Sequence, residues 1–377
     1  MQVIGGLGNG GAEKLVVELC NELSLKDEVS LLSFRKIEKW MAFPKILNDN
    51  VDLITANKKP GFSFNWYIKL LKIVRIKKPD VINLHLDSAL IYFLPFIFIL
   101  KTFFFRNTDF FYTIHNKLVL SSKIESDLTN YSNSQLFDLI SKFRVIPIRF
   151  ICISKSILND FESRYKKMQF SLIENGCDKM VETKNSVNIN REINQFRINE
   201  ESVVFLSIGR INLQKNYEMA LRVMDACSSK NLILLIIGNE STKGRPLFNY
   251  LKSIKPKNVF FLETVDNVSD YIVNSDAILF TSHYEGMPIS AIEAMSMGKP
   301  IICTPAGGLV DMIEPKVNGF ISKDFSDLSL IEEVNNFINL GDKDLELIKN
   351  KNLEAFETRY SLQICASNYR KIYVKSI

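Results

Sequence analysis

Two carboxylates eight positions apart, Glu285 and Glu293, stand in SHYEGMPISAIEAMSMGKP (282–300), and two cations five apart, Arg210 and Lys215, stand in SIGRINLQKN (207–216). An arginine fork and a lysine point charge together suit the neutralisation of a diphosphate. Ionised carboxylates only accept hydrogen bonds, which suits sugar hydroxyls. Glu285 ends a loop, and Gly286, Met287 and Pro288 lead into a helix for which Pro288 is a favoured first residue. Glu293 follows about one and a half turns on, a rise of roughly 7 Å, so the two carboxylates can serve two sugar rings. The amides of 286–289, at the helix start, favour negative charge. Ala291, Ile292, Ala294 and Met295 surround Glu293 with apolar neighbours, and a buried carboxylate needs partners.

Glycine turns are the second chemical signal. VIGGLGNGGAEK (3–14) places Gly6, Gly8 and Gly11 in the G-x-G-x-x-G spacing used around a dinucleotide pyrophosphate. A dinucleotide site wants an acidic residue about 20 positions later, at the end of the second strand. That strand ends SLLSFRK (30–36), and Asp27 and Glu28 precede it. Arg35 could face a 2′-phosphate, which keeps an NAD(P)-dependent oxidoreductase as an alternative. The glycines still permit close backbone approach, and a helix opening at Gly11 and Ala12 offers free N–H groups to an anion. TPAGGLVDMI (304–313) is a further strand-to-helix turn, with Gly307 and Gly308 able to approach a ligand. His85 closes VINLH and His115 stands at the end of FYTIHN, before Asn116; a lone histidine at a strand end reads first as structural.

Elements must bring these residues together. Apolar, β-branched runs recur at 2–5, 29–34, 51–55, 81–85, 110–114, 150–153 and 171–174, then at 203–208, 232–237, 259–262, 277–280, 300–303 and 319–321, with helical patterns between. Without strict alternation they read as parallel strands covered on both faces, in βαβ units. The fold class is α/β: two Rossmann-like, doubly wound parallel-sheet domains in series. The polar, Asn-rich stretch 178–201 reads as the join. A last helix is expected over 361–375.

Bulk properties narrow the classes. At 377 residues the chain suits two domains. Cysteines at 20, 152, 177, 227, 303 and 365 form no C-x-x-C, and there are three histidines, which argues against a disulfide framework or a multi-histidine metal site and fits a reducing cytoplasm. No secretory signal is visible. ALIYFLPFIFILKTFFF (89–105) contains Pro95 and Lys101, and falls short of the roughly 20 apolar residues a spanning helix needs. It reads as a buried helix, or else as one dipping into the bilayer interface. Residues 1–180 carry 25 Lys+Arg against 18 Asp+Glu, and the remainder 22 against 24. A basic first half, densest in KLLKIVRIKKPD (69–80), suits an anionic surface such as acidic lipid or a diphosphate-bearing substrate. The bias lacks aromatic interleaving, so nucleic acid is not an expected partner. Asp342 and Asp344 form a D-x-D in what reads as a solvated loop rather than a Mg²⁺ site.

Glu285-x7-Glu293 with EGMP, the preceding GR…KN and the N-terminal GGAE resemble the GT-B retaining glycosyltransferases of family 4, from the first strand to the final helix. The resemblance implies two domains facing a cleft: an acceptor-binding domain over 1–178, a nucleotide-sugar-binding domain over 179–359, and residues 360–377 crossing back onto the first. Arg210 and Lys215 would hold the diphosphate. Glu285 and the amides of Gly286, Met287 and Pro288 would hold the donor sugar, and Glu293 the ribose hydroxyls. Gly10 and Gly11 would lie near the reaction centre, and His115 would contact the sugar or the acceptor. His85 matches a common family position and is read as structural.

The implied reaction moves a sugar from a nucleoside diphosphate, UDP by family frequency, to an acceptor hydroxyl with retained configuration. No cofactor or metal is expected. A glycan or lipid-linked glycan acceptor, at the inner face of the cell membrane and in cell-surface polysaccharide or lipopolysaccharide synthesis, fits the basic half and the apolar segment. A sugar-nucleotide epimerase on the same fold is the nearer rival. Two departures stand out. The first strand is short, as though an upstream residue or two were missing, and Asp311 stands where the family more often has Glu.

Overall fold

The computed structural model describes residues 1–38, 43–59, 61, 63–99, 108–117, 134–142, 147–197, 199–227, 230–240, 244–265 and 267–374. They form two compact units, one of residues 1–177 and 362–377, the other of residues 178–361.

Unit 1 runs β1 (Gln2–Ile4), α1 (Gly11–Leu23), β2 (Val29–Ser33), β3 (Val51–Thr55), α2 (Phe64–Lys77), β4 (Val81–His85), α3 (Leu86–Ile99), β5 (Asp109–Ile114), α4 (Ser134–Lys142), β6 (Ile148–Cys152), α5 (Lys155–Arg164) and β7 (Phe170–Leu172). The strands are all parallel, in the order β3-β2-β1-β4-β5-β6-β7. Parallel strands covered on both faces have no solvent side, which is why the sequence runs apolar rather than alternating. The order reverses beside β1, and ligands of open α/β sheets bind at the carboxyl edge of such a switch point. The Gly5–Gly11 loop after β1 and the ends of β4 and β5 lie on that edge.

Unit 2 runs α6 (Ser186–Asn194), β8 (Val203–Ile208), α7 (Tyr217–Ala226), β9 (Leu232–Ile237), α8 (Pro246–Ile254), β10 (Val259–Leu262), α9 (Val268–Val273), β11 (Ala277–Phe280), α10 (Ile289–Ser296), β12 (Ile301–Cys303), α11 (Gly308–Met312), β13 (Gly319–Ile321), α12 (Asp327–Ile338) and α13 (Asp342–Ala355). Its parallel order is β10-β9-β8-β11-β12-β13, with a switch between β8 and β11. Phe205, Leu234, Leu279 and Phe320 of the sheet are buried with Met219 and Val223 of α7 and Val334 and Phe337 of α12. The chain returns to unit 1 as α14 (Leu362–Val374), which packs on α1; Arg370 grips Asp27 there at 2.9 and 3.2 Å.

Each expected strand is present, β6 starting two residues earlier than expected. The stretch expected as a join holds α6, which buries Ile189 and Ile193, one turn apart, under its many asparagines. Asp342 and Asp344 lie in the first turn of α13 rather than in a loop, where carboxylates face the positive end of the helix dipole. In α3, Ala89, Leu90, Phe93 and Ile97 are wholly buried, and residues 100–105 of the apolar segment lie outside the described residues. Among the described residues no helix is long and apolar enough to cross a membrane.

Candidate active site

In unit 2 the candidate residues come from strand ends on both sides of the switch. After β8 the chain passes Gly209 and exposed Arg210 and makes a 3₁₀ turn, Leu213–Lys215. Asn212 caps that turn by accepting from the Lys215 amide at 3.1 Å. Asn216, left-handed at φ 49°, ends the turn and starts α7, a conformation asparagine tolerates better than most residues.

The loop after β11 is laced to this turn. His283 N donates to Gln214 O at 2.9 Å, Gln214 Nε2 to Tyr284 O at 3.0 Å, and Thr281 Oγ1 to Lys215 O at 2.9 Å. The lacing holds Lys215 Nζ 2.7 Å from Glu285 Oε1, which also accepts from Ser282 Oγ at 2.5 Å. Both partners are largely buried, at 15% and 6% side-chain exposure. Burial and the nearby Glu285 push the Tyr217 phenol well up, so it stays protonated and donates to Gly209 O at 3.1 Å. Lys215 has three N–H donors and spends one here. Glu285 Oε2 takes no hydrogen bond among the described residues. The pair is therefore preset, with two donors and one acceptor oxygen in hand.

Pro288 is the N-cap of α10 rather than its first helical residue; Ile289 takes that place. No side chain caps this helix, so its first amides are left to another acceptor. Glu293 is buried within α10, at 7% exposure. Gly307 and Gly308, expected to approach a ligand, are packed against the chain's own backbone. A Cβ on Gly307 would meet Glu285 O at 2.2 Å, and one on Gly308 would meet Gly286 O at 2.0 Å. Gly308 N donates to Glu285 O at 2.9 Å, so these glycines seat the Glu285–Pro288 loop. Asp311, on α11, is half-buried, and its carbonyl faces Arg359.

In unit 1, Gly10 is the N-cap of α1. The Glu13 carboxylate folds back over it: a Cβ on Gly10 would lie 2.4 Å from Glu13 Oε2, and one on Gly8 3.4 Å from Oε1. Glutamate three residues after the N-cap is the capping-box position. The chain's own carboxylate thus sits where the open glycine loop suggests an external anion, next to Gly8 and Gly10. Gly6 packs on the Arg35 side chain.

His115 follows β5, and its Nε2 lies 3.1 Å from Nδ1 of His85, at the end of β4. Both rings are buried. Burial lowers the His115 pKa to about 4; burial, then the neighbouring His115, lowers that of His85. His85, read as structural, therefore touches the candidate histidine. Ser282 and Gln214, which fix the Lys215–Glu285 pair, went unnoticed in sequence because a lone serine or glutamine between loop residues carries no pattern.

The family model for glycosyl transferases group 1 matches residues 188–353, and that for glycosyltransferase family 4 matches residues 9–179. An uncharacterised glycosyltransferase of Methanocaldococcus jannaschii is 28% identical over 287 residues, 72% of this chain and 68% of that protein. The UDP-Gal:alpha-D-GlcNAc-diphosphoundecaprenol alpha-1,3-galactosyltransferase of Escherichia coli is 24% identical over 239 residues, 60% of this chain and 58% of that protein. Among solved structures, Anabaena HepE in complex with UDP-glucose shares the fold with a TM-score of 0.80 at 18% identity over 100% of both chains. The two families between them account for both units, and the chain belongs to the group 1 glycosyltransferases of the GT-B fold.

Proposed function

We propose that the chain transfers a sugar from a UDP-sugar to an acceptor hydroxyl with the anomeric configuration retained. The observation that carries this reading is the Lys215–Glu285 pair beside the uncapped start of α10. Lys215 has two N–H donors for a phosphate oxygen, exposed Arg210 stands on the same loop, and the α10 amides add a positive field. Glu285 Oε2 and the Gly286 and Met287 backbone receive the donor sugar, with Pro288 setting the start of α10, and Glu293 receives the ribose hydroxyls. From unit 1, Gly10 and Gly11 are assigned to the reacting groups, and His115 takes a hydroxyl of the sugar or acceptor. The bond from the anomeric carbon to the diphosphate breaks, the acceptor oxygen bonds that carbon on the same face, and the acceptor proton passes to the departing phosphate. Preset charges facing the leaving group lower the barrier without reorganising at the moment of reaction. Unit 2 is the donor side and unit 1 the acceptor side, and no metal or cofactor takes part.

UDP is favoured because HepE is solved with UDP-glucose and the Escherichia coli relative is named for UDP-Gal. That relative's name also specifies a diphosphoundecaprenol-linked acceptor. We extend this to a lipid-linked glycan acceptor in cell-surface polysaccharide synthesis, taken up at the inner membrane face. α2 supports the membrane part: it buries Trp66, Leu70 and Val74 and exposes Lys69, Lys72 and Arg75 with Phe64 and Ile76. Co-sedimentation with anionic vesicles at low salt tests it, and the absence of binding contradicts it.

The test of the reaction is incubation of the full chain with labelled UDP-sugars and a lipid-diphosphate-linked sugar acceptor, followed by proton NMR of the product. Label in the acceptor with retained anomeric configuration supports the reading. Conversion of a UDP-sugar to its epimer without acceptor supports the epimerase instead.

A further inference from the structure

The central strands of the unit 1 sheet carry a line of buried polar groups. Gln2 of β1, Asn83 and His85 of β4 and Thr113 of β5 are all but inaccessible, and the register pairs Gln2 with Asn83 and His85 with Thr113. Tyr369 and Tyr373, one turn apart on α14, close the line, with Tyr369 OH 3.4 Å from Thr113 Oγ1. Polar groups inside a parallel sheet lose hydration and survive only when their hydrogen bonds are made.

The protons in this network can be placed by counting donors. Asn83 Nδ2 has two hydrogens and three neighbours: Tyr373 OH at 2.8 Å, Thr113 Oγ1 at 3.0 Å and His85 Nε2 at 3.2 Å. The two shorter contacts take the hydrogens. His85 Nε2 lies 2.8 Å from Gln2 Oε1, an acceptor only, while Gln2 Nε2 donates to Tyr373 OH at 3.3 Å. Nε2 of His85 therefore carries the ring proton. Burial keeps the ring neutral, which leaves Nδ1 bare. That Nδ1 faces His115 Nε2, which must then be the donor across 3.1 Å. His115, neutral too, is left with a bare Nδ1, and no hydrogen bond reaches that atom among the described residues.

We propose that Gln2 and His85 are positioning residues that hold the His115 proton on Nε2 and thereby keep His115 Nδ1 as an acceptor for a substrate hydroxyl. The inference rests on the role given to His115 above and narrows it. A neutral ring with a bare Nδ1 takes a hydroxyl hydrogen and offers nothing to a phosphate oxygen. The partner of a ring nitrogen decides the tautomer, and the tautomer decides what the other nitrogen can bind.

The chain has three histidines, at 85, 115 and 283, so long-range ¹H–¹⁵N spectra of the ¹⁵N-histidine-labelled full chain can be assigned with His283→Gln and His115→Asn. The expected pattern is Nε2–H with bare Nδ1 in both His85 and His115. Gln2→Met removes the first acceptor; it should mix the tautomers of both rings and lower kcat on the order of tenfold or more, with the donor KM little changed. His85→Asn keeps an oxygen near the place of Nδ1 and should preserve the His115 pattern and most of the rate, whereas His85→Leu should lose both. A proton on Nδ1 of His115 in the wild type, or a Gln2→Met protein whose His115 pattern is unmoved, overturns the proposal. Wild-type protein with the expected ring pattern but no transfer from any UDP-sugar strikes the transferase reading instead, because the spectra need no substrate.

Discussion

Lys215 Nζ lies 2.7 Å from Glu285 Oε1 although seventy positions separate the two residues. The contact joins the loops after β8 and β11, on either side of the strand-order switch in unit 2. Glu285 orients the ammonium and Lys215 supplies the charge that lets a buried carboxylate persist.

Removing one partner leaves the other without its counter-charge. Lys215→Met is expected to cost about 3 kcal/mol of stability, because a buried ion is left uncompensated. Arg210→Ala, at an exposed position, should stay within roughly 0.5 kcal/mol. Both should lose transfer on the order of 100-fold or more. In urea unfolding, the double variant Lys215→Met with Glu285→Gln should cost less than the two single changes added together. Additive costs would show that the pair is not coupled.

The EGMP loop depends on a backbone seat. Gly308→Ala would place a methyl group 2.0 Å from Gly286 O, so the loop must move. The expected result is a loss of several kcal/mol and of UDP-sugar binding. Gly244→Ala is the control. Its φ of +79° is strained for alanine, but nothing lies within 4 Å, so it should cost on the order of 1 kcal/mol and leave binding intact. Equal effects would show that the Gly308–Gly286 contact does not seat the loop.

Acid should act through the buried histidines. In the unfolded chain each ring takes up a proton as pH falls through about 6.5, while folded His115 stays neutral down to about 4. The unfolded state binds more protons in that window, so stability is fully present above it and falls through it, by about 3 kcal/mol for His115 alone. Urea unfolding of wild type and His115→Asn at pH 7 and pH 4.5 isolates this contribution from that of the carboxylates. The wild type should lose more between the two pH values, and equal losses would contradict the assignment.

On the proposed reading Arg210, Lys215 and helix-start amides meet the diphosphate charge, so EDTA should leave the transfer rate unchanged. Strict dependence on added Mg²⁺ would contradict that division of labour.

The sheets were legible because strands buried on both faces, such as LILLII in β9, must be apolar throughout. The candidate site is legible in its residue types, since charge at a strand end or inside an apolar helix, as at Arg210, Lys215, Glu285 and Glu293, needs a reason. The Lys215–Glu285 pairing is not legible, because a contact across seventy positions belongs to tertiary structure. The backbone seat at Gly307 and Gly308 is hidden for a related cause: a glycine signals close approach without saying whether ligand or backbone approaches. α6 was hidden by asparagines, though Ile189 and Ile193 at a four-residue spacing marked it. The His85–His115 contact could have been guessed, since two neighbouring parallel strands ending in histidine bring those ends together.

The loops of unit 2 are proposed to hold a nucleoside diphosphate sugar, its diphosphate against preset charges and its ribose against Glu293. Calorimetric titration of UDP-sugars into the wild type and Glu293→Gln tests this. At least one UDP-sugar should bind the wild type with a Kd between about 1 μM and 1 mM, as enzyme substrates commonly do, and bind Glu293→Gln on the order of tenfold more weakly. Binding of NAD(P) in place of every UDP-sugar, or equal affinity in the two proteins, would contradict it.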